Sequence, residues 1–151
     1  MHLLLFSLDS RQFALPLERV REVVHAVEIT PLAGAPGVVE GVVDVRGTVV
    51  PVLDARARFR LPARPVRLAD HLILAEGAGR LVALRVDRVL DTHEVPAESM
   101  TAANPNDASM AHLAGVATLE DGMVLVHDLD AFLTQAETDA LAQAMSRETA
   151  A

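Results

Sequence analysis

The chain alternates between short apolar runs and turn residues, with a new run beginning about every ten residues. This pattern is typical of many short antiparallel strands and predicts a mostly β protein. Residues 18–25 fit two patterns, because their valines lie at helical spacing while charged and apolar residues also alternate. We therefore expect a short helical turn there that passes into a strand. The other predicted strands cover residues 3–8, 13–17, 41–45, 48–54, 72–75, 81–86, 89–95, 113–119 and 123–127.

Turn residues mark the predicted hairpins. Arg46-Gly47 lies between two valine-rich runs at hairpin spacing, Gly77-Ala78-Gly79 joins two further strands, and Asp121-Gly122 is a strong turn signal. Pro16 lies inside the second predicted strand, and because proline cannot donate to a strand ladder, it predicts an edge or bulge position. The Pro- and Gly-rich residues 30–37 predict a loop.

An amphipathic helix is predicted over residues 129–146, with Asp128 or Asp130 as its N-cap. Its apolar residues recur at helical spacing, so one face of the helix must lie on an apolar surface. The polar residues 97–107 before the last hairpin predict a surface loop. The apolar stripe of the helix consists of Leu129, Phe132, Leu133, Ala136, Ala140, Leu141 and Ala144.

The length of 151 residues corresponds to a single domain. The proline-marked connector at residues 61–65 places a boundary between two lobes near residues 61–70. We therefore expect one domain over residues 1–151, with a first lobe at about residues 10–65 and a second lobe at about residues 70–128.

Two stretches of the chain are repeated. A shift of 74 residues lays residues 41–54 over residues 115–128 without a gap, so that Gly and Asp frame both copies. A shift of 69 residues lays residues 2–23 over residues 71–92. Chance matching is one explanation, because strands use few residue types. The other is a small β unit used twice, which indicates a two-lobed body, since a solenoid needs at least about three repeats.

The charge balance limits the classes of partner. The chain has 21 acidic and 13 basic residues, all of the latter Arg, for a net charge of −8. Binding to nucleic acid or an anionic membrane needs clustered positive charge, and the absence of Trp and Tyr removes the usual platforms for base stacking. With no Cys, disulfides and thiolate metal sites are excluded. The first residues match neither a signal peptide nor a membrane span, so we expect a cytoplasmic protein without direct membrane insertion.

No catalytic or metal-binding pattern is evident in the sequence. The six His are scattered without a pair at helical chelating spacing, which predicts no zinc site. The chain also lacks a nucleophile elbow, a phosphate-binding glycine loop and a dinucleotide fingerprint. Asp128 and Asp130 are better explained as acids at a helix start than as a catalytic pair. We expect no enzyme and no cofactor; the remaining enzymatic alternative is a small β-barrel hydrolase that uses Asp and His residues.

Four segments in order resemble the CheW-like family of bacterial chemotaxis coupling proteins. They are Phe-Ala-Leu-Pro-Leu-Glu-Arg-Val-Arg-Glu-Val at residues 13–23, the long Pro-Gly-Val-Val-Glu-Gly-Val-Val-Asp-Val-Arg-Gly-Thr-Val-Val-Pro-Val-Leu-Asp run at residues 36–54, Val-Asp-Arg-Val at residues 86–89 and Leu-Ala-Gly-Val at residues 113–116. The resemblance covers nearly the whole chain. It implies a fold of two intertwined five-stranded SH3-like barrels, which fits the internal repeat.

The resemblance also implies a function without chemistry. Members of the family couple the cytoplasmic tip of a transmembrane chemoreceptor to the regulatory domain of a CheA-type histidine kinase. The implied location is therefore the cytoplasm, peripheral to membrane receptor arrays, and ring assembly with kinase domains is left open. A groove between the barrels is expected to accept a helical hairpin of the receptor. The alternative within the family is a scaffold of a non-chemotaxis array, such as one for surface motility.

The family's receptor-contacting positions fall on Val20, Glu22, Val23 and Arg46, and Val86 and Val89 of the second lobe are expected to face the same groove. Each has a second explanation. The valines are common core residues, and Glu22 is compatible with a solvated surface position. An arginine between two apolar strands needs a partner, so Arg46 holds either a loop of its own barrel or a polar group of the receptor.

Asp44 stands where the family usually has Asn. Two consequences are open. The carboxylate of Asp44 pairs with Arg46 and reduces its availability, or the added charge shifts the choice of receptor.

Overall fold

The computed structural model describes residues 1–104, 106 and 111–150, without the side chains of the last two of these residues. Its strands follow the predicted order closely, and short 3-10 turns cover Leu17–Arg19 and Ala97–Ser99. The predicted helical turn before the third strand is confirmed. The elements are β1 (His2–Leu8), β2 (Arg11–Pro16), β3 (Val20–His25), β4 (Val39–Val45), β5 (Thr48–Asp54), α1 (Ala55–Arg58), β6 (His71–Gly77), β7 (Arg80–Val86), β8 (Arg88–Glu94), β9 (Met100–Ala102), β10 (Leu113–Leu119), β11 (Gly122–His127) and α2 (Gln135–Ala150).

The strands form two sheets. The six-stranded sheet has the order β8-β1-β2-β11-β10-β9, and the five-stranded sheet has the order β3-β6-β7-β5-β4. In both sheets neighbouring strands are antiparallel except for one parallel pair, which is β2 with β11 in the first and β5 with β7 in the second. The short β9 gives the first sheet its sixth strand. No helix in the described ranges is both long and apolar enough to cross a membrane.

The two sheets exchange a strand. β3 follows β2 along the chain but pairs with β6 in the other sheet, and β8 follows β7 but pairs with β1. Each sheet therefore contains strands from both halves of the sequence. The predicted lobes at residues 10–65 and 70–128 are wrong as contiguous units, because the boundary near residues 61–70 falls between two strands of the same sheet, β5 and β6. The expectation of intertwined subdomains is confirmed.

The internal repeat extends to the strand register. Ala14 lies opposite Val126 in one sheet, and their counterparts Ala83 and Val52 lie opposite each other in the second. The bulges also correspond, since the register of β4 with β5 shifts before Gly41 and that of β10 with β11 shifts at the matching place. The repeated unit is thus a five-strand arrangement, with β1, β2, β8, β10 and β11 matching β6, β7, β3, β4 and β5.

Apolar side chains form three clusters. Each sheet has a small cluster of its own, and six residues of one correspond to six of the other under the repeat: Leu3, Leu5, Ala14, Ala117, Val124 and Val126 against Leu72, Leu74, Ala83, Val43, Val50 and Val52. The third and largest cluster, which we call the central core, combines buried residues of both sheets with Leu141, Ala144 and Met145 of α2. The C-terminal half of the predicted apolar stripe is therefore buried against both sheets, whereas Ala136 of that stripe is exposed.

All four phenylalanines of the chain surround one buried histidine in this region. The ring of His127 lies 4.3 Å from that of Phe59 and 5.2 to 6.2 Å from those of Phe6, Phe13 and Phe132, measured between ring centroids. Neither ring nitrogen has a hydrogen-bond partner among the described groups. Burial, with a smaller contribution from His112, lowers the pKa of His127 to about 3. The ring is therefore a neutral packing group at pH 7.

Glycine is required where a further chain segment passes close to the β4 bulge. A Cβ on Gly41 would lie 2.2 Å from the carbonyl oxygen of Thr30, whose backbone pairs with Val42. The counterpart Gly115 has the same problem, since a Cβ there would lie 2.7 Å from the carbonyl oxygen of Thr101 in β9. These two glycines therefore admit a further segment beside each bulge, which is β9 in the six-stranded sheet and the isolated bridge at Thr30 in the five-stranded sheet.

Replacing Gly41 by alanine is expected to lower the free energy of unfolding by at least about 2 kcal/mol, because the backbone of Thr30 cannot move without losing its pairing to β4. Urea denaturation followed by circular dichroism measures the change. The control is Gly47→Ala, at a turn position with positive φ but open space, where backbone strain alone costs about 1 kcal/mol. Equal losses in the two variants would contradict the steric explanation.

The C-terminal helix begins at Gln135, six residues later than predicted. Asp128 does not cap it, because the Asp128 carboxylate accepts the backbone N–H of Asp130 in a separate turn. The cap is Thr134, whose hydroxyl accepts the N–H of Glu137 at 3.1 Å while the Glu137 carboxylate accepts the N–H of Thr134 at 2.9 Å. This reciprocal capping box fixes the start of the helix.

The predicted loop over residues 97–107 is also corrected in part. Its first residues form a 3-10 turn and then β9, which pairs with β10. Met100 reaches the apolar cluster of the six-stranded sheet, and this supports strand formation in an otherwise polar segment. Residues 105 and 107 of the predicted loop lie outside the described residues.

The connector between α1 and β6 is fixed by buried ion pairs. Arg64 donates to both carboxylate oxygens of Asp70, at 2.9 and 3.2 Å, and to Asp87. Arg85 donates to Asp70 at 3.1 Å, and Arg56 donates to Asp87 at 2.9 and 3.1 Å. Asp70, Arg85 and Arg56 are at most 4 % exposed. The arginine-rich connector is thus part of the folded body, although its sequence pattern resembles a solvated linker.

Candidate functional site

The site predicted from the sequence centres on β3 and on the turn between β4 and β5. Arg46 and Gly47 are the two central turn residues and both have positive φ, at 50° and 86°. The carboxylate of Asp44 accepts the N–H of Gly47 at 2.7 Å and so stabilises this turn. Asp44 therefore acts on its own hairpin, and the predicted pairing of Asp44 with Arg46 is wrong.

Arg46 pairs with Glu22 across the surface. Both terminal nitrogens of its guanidinium donate to the Glu22 carboxylate, and this contact raises the pKa of Arg46. The side chain of Arg46 is 72 % exposed and that of Glu22 is 34 % exposed. Arg46 does not hold a loop within its own sheet, as one of the two predictions proposed, because the positive-φ turn directs it outward. β3 and β4 are the two edges of their sheet, so the pair joins these edges.

The predicted valines differ in accessibility. Val23 is exposed at 38 %, whereas Val20 and Val89 are half-buried and pack against the central core. Val86 is 1 % exposed and belongs to the central core, so its predicted position in an open groove is wrong. Its strand β7 lies inside the five-stranded sheet, where both neighbours cover it.

The seam between the sheets is filled rather than open. The central core runs through it, with Phe6, Phe13, Ile73 and Leu84 each at most 1 % exposed. What remains accessible is a strip along β3 and the adjacent turn. This strip, which we call the β3 surface, consists of Val20, Glu22, Val23 and Arg46.

His71 links the end of β3 to the start of β8. Its Nδ1 atom accepts the backbone N–H of Val89 at 3.1 Å, which places the ring proton on Nε2. Its ring also lies 4.9 Å from that of His25, the residue opposite it on β3. Burial lowers the pKa of His71, and the positive charges of His25 and Arg88 act in the same direction, against Asp70. Val89 is therefore held beside the end of β3.

Sequence analysis missed the Glu22–Arg46 pair and His71. For the Glu22–Arg46 pair, the sequence offered one signal, which is the opposite charges on a strand and on a hairpin turn. For His71, the only signal was its match to His2 in the other copy of the repeat. Neither signal identifies a partner without the strand pairing.

The structure offers no support for hydrolytic chemistry. Within residues 1–104, 106 and 111–150, no group of three His, Asp or Glu side chains could hold a metal ion. Asp70 and Asp87 have lowered pKa values because bonds from arginine and backbone N–H groups outweigh the effect of burial, and His127 is enclosed in the core. These groups do not converge in a pocket that could hold a substrate.

Comparisons with known proteins agree on one family. The family model described as "CheW-like domain" matches residues 2–137. "Chemotaxis protein CheW" of Rhizobium meliloti (strain 1021) is 29 % identical over 140 residues, covering 91 % of this chain and 90 % of that protein. "Protein FrzA" of Myxococcus xanthus is 35 % identical over 114 residues, covering 74 % and 70 %.

A solved structure has the same fold. The crystal structure of the scaffolding protein TtCheW from Thermoanaerobacter tengcongensis superimposes with a TM-score of 0.82 at 27 % identity, covering 90 % of this chain and 94 % of that one. Together with the two sheets described above, this likeness confirms the predicted fold class of two SH3-like subdomains with a C-terminal helix.

Proposed function

The chain belongs to the CheW-like domain family, and from this premise we propose that it is a scaffold that couples chemoreceptors to a CheA-type histidine kinase. In this function the protein binds and positions its partners and catalyses no reaction. It would act at the cytoplasmic tips of the receptors, where the regulatory domain of the kinase also binds. The observation that carries the proposal is the β3 surface, where one edge strand carries both an accessible valine and an exposed ion pair in a member of this family.

The chemistry of the β3 surface fits a helical hairpin. Val23 offers an exposed apolar contact, and half-buried Val20 extends it towards the central core. An exposed ion pair contributes little to stability, so the Glu22–Arg46 pair is not explained by folding. It instead holds the guanidinium in a fixed orientation, with donors left for a polar group of the helix. Val89 would contribute at the margin, beside His71.

The decisive experiment is a reconstituted autophosphorylation assay with receptor and CheA-type kinase, with and without this protein. A coupling scaffold is expected to make kinase activity depend on the receptor and its ligand. A protein that binds both partners in pull-downs but leaves kinase activity independent of receptor would not be a coupling scaffold.

Arg46→Glu is expected to weaken receptor binding by about tenfold or more, equivalent to about 1.4 kcal/mol, because it places two carboxylates together on the β3 surface. The fold should persist, since the pair is exposed. Binding is measured by titration of receptor fragments, and circular dichroism checks the fold.

The double variant with Arg46→Glu and Glu22→Arg restores the ion pair and separates local geometry from receptor contact. If the pair only orients the surface, the swap recovers binding; if the guanidinium itself contacts the receptor, it does not. Arg60→Glu, the same charge change at an exposed position after α1, is the control. Full receptor affinity in the Arg46→Glu protein would remove Arg46 from the site.

A second candidate is a CheW-like scaffold of a non-chemotaxis array. It is favoured by the match to FrzA, a relative whose name differs from CheW. The same autophosphorylation assay distinguishes the two candidate functions when it is run with receptors and kinases from both kinds of array. The protein should couple receptor to kinase only for the array to which it belongs.

A further inference from the structure

An open pocket lies where the start of β1 meets the end of β2. Its volume is about 490 Å³, and it is lined by Met1, His2, Pro16, Leu17 and Glu18. Its walls are largely apolar, and Glu18 supplies the one carboxylate among the lining residues. Leu17 packs on the central core from below, so the floor of the pocket is continuous with the folded body.

The internal repeat assigns a counterpart to every residue of this pocket. The shift of 69 residues holds in the strand register here, since Leu3 lies opposite Pro16 in the first copy and Leu72 lies opposite Arg85 in the second. The counterparts of the five lining residues are, in order, Asp70, His71, Arg85, Val86 and Asp87.

The counterpart surface is covered by the chain itself. The connector at residues 61–69 crosses it, and Arg64 of this segment bonds to Asp70 at 2.9 Å and to Asp87 at 2.5 Å. The backbone carbonyl of Arg64 also accepts a hydrogen bond from Arg85 at 3.1 Å. An irregular segment that carries an arginine is thus seated where the pocket lies in the other copy.

Exposure shows the effect of this cover. Asp70 is 1 % exposed beneath Arg64 of the connector, whereas its counterpart Met1 is 53 % exposed. The described part of the chain leaves the first surface open. The same backbone frame is therefore covered in one copy and accessible in the other.

We propose that this pocket binds an extended segment of a partner protein that carries an arginine next to an apolar side chain. The arginine pairs with Glu18, as Arg64 pairs with Asp87 at the counterpart surface. The apolar side chain packs on Leu17 and Pro16. Because Met1 and Pro16 replace the charged Asp70 and Arg85, the partner segment needs fewer polar groups than the connector does. The pocket is distinct from the β3 surface and does not depend on the function proposed for it.

The test uses a peptide with the sequence of residues 61–69, Leu-Pro-Ala-Arg-Pro-Val-Arg-Leu-Ala, with both ends blocked. Titrated into the ¹⁵N-labelled full chain, it is expected to bind with a dissociation constant of about 1 mM and to shift the amide signals of His2, Leu17 and Glu18. Glu18→Arg should weaken binding about fivefold or more, and a peptide with glutamate in place of its first arginine should recover affinity for that variant.

The control is Glu28→Arg, which makes the same charge change at another exposed acid and should bind the peptide as wild type does. Three results would overturn the proposal: the absence of saturable shifts, shifts confined to Asp70 and Asp87 because the peptide displaces the connector, or equal affinity of the Glu18→Arg protein. Glu18 is exposed, so loss of folding is not expected to obscure the comparison.

Discussion

Replacing Asp70 by alanine is expected to lower the free energy of unfolding by about 3–5 kcal/mol, because it leaves buried Arg85 and partly buried Arg64 without the carboxylate that they share. Asp70 accepts bonds from Arg64, from Arg85 and from the backbone N–H of Arg67. Burial acts to raise its pKa, but these bonds outweigh it and the pKa is lowered. The loss is a large part of the stability of a typical domain, about 5–15 kcal/mol.

Urea denaturation at pH 7 measures this loss, with Glu98→Ala as a control at an exposed acid. The difference in unfolding free energy between the two variants should persist in about 0.5 M salt, because salt screens exposed ion pairs much more than buried ones. Stability within about 0.5 kcal/mol of the control would show that the arginines find other partners, Glu40 for Arg85 and Asp87 for Arg64.

His127→Leu is expected to remove most of the stability loss that the protein suffers between pH 6.5 and 4.5. The pKa of His127 is about 3 in the folded chain against an ordinary value of 6.5, so the unfolded chain binds a proton that the folded chain excludes. Its contribution is therefore complete above pH 6.5 and is lost as the pH falls towards 3. The loss amounts to about 2–3 kcal/mol by about pH 4.5.

Leucine is the appropriate replacement because the counterpart of His127 in the repeat is Leu53, which is 1 % exposed in the same core. The variant also removes two ring nitrogens that lack partners among the described groups, so it should be at least as stable as wild type at pH 7. The measurement is the free energy of unfolding in urea at half-unit pH steps.

His93→Gln, at an exposed position of β8, is the control and should follow the wild-type pH profile. The pKa of His71 is also lowered, so His71 adds to the loss of stability at low pH, and it remains in both variants. An unchanged slope in His127→Leu would mean that acid sensitivity in this pH range arises elsewhere, with His71 as the next group to replace.

The sequence predicted the local features of the fold well. Hairpins were predictable because apolar alternation and turn residues such as Asp121-Gly122 act over a few positions, and the repeat was visible because matching bulges need matching glycines. The strand exchange was expected only from the family resemblance, since the backbone of β3 can pair with β2 or with β6 and its residue pattern does not distinguish the two. The helix start was misplaced because Asp128 and Asp130 resemble caps, although the Thr134–Glu137 box was present in the sequence.

The site was predicted less completely than the fold, because its contacts join residues that are distant in the chain. The resemblance to the family gave the positions, and the structure separates accessible Val23 and Arg46 from buried Val86. Apolar strands on both sides suggested that Arg46 could hold a loop of its own barrel, but a two-residue turn with positive φ presents its side chain to solvent. The partner of Arg46 is Glu22, 24 residues away in the chain, and local sequence patterns carry no information on contacts at that distance.

The exchange of β3 and β8 between the sheets has a consequence for how the molecule can be divided. A cut in the connector near Pro65 would yield two fragments, neither of which holds a complete sheet, because β1 and β2 would lose the other four strands of their sheet and β6 and β7 the other three of theirs. Neither piece could serve as an autonomous module, and each would need the other as a template. The unit that is repeated in the sequence therefore does not coincide with any continuous fragment that could fold alone.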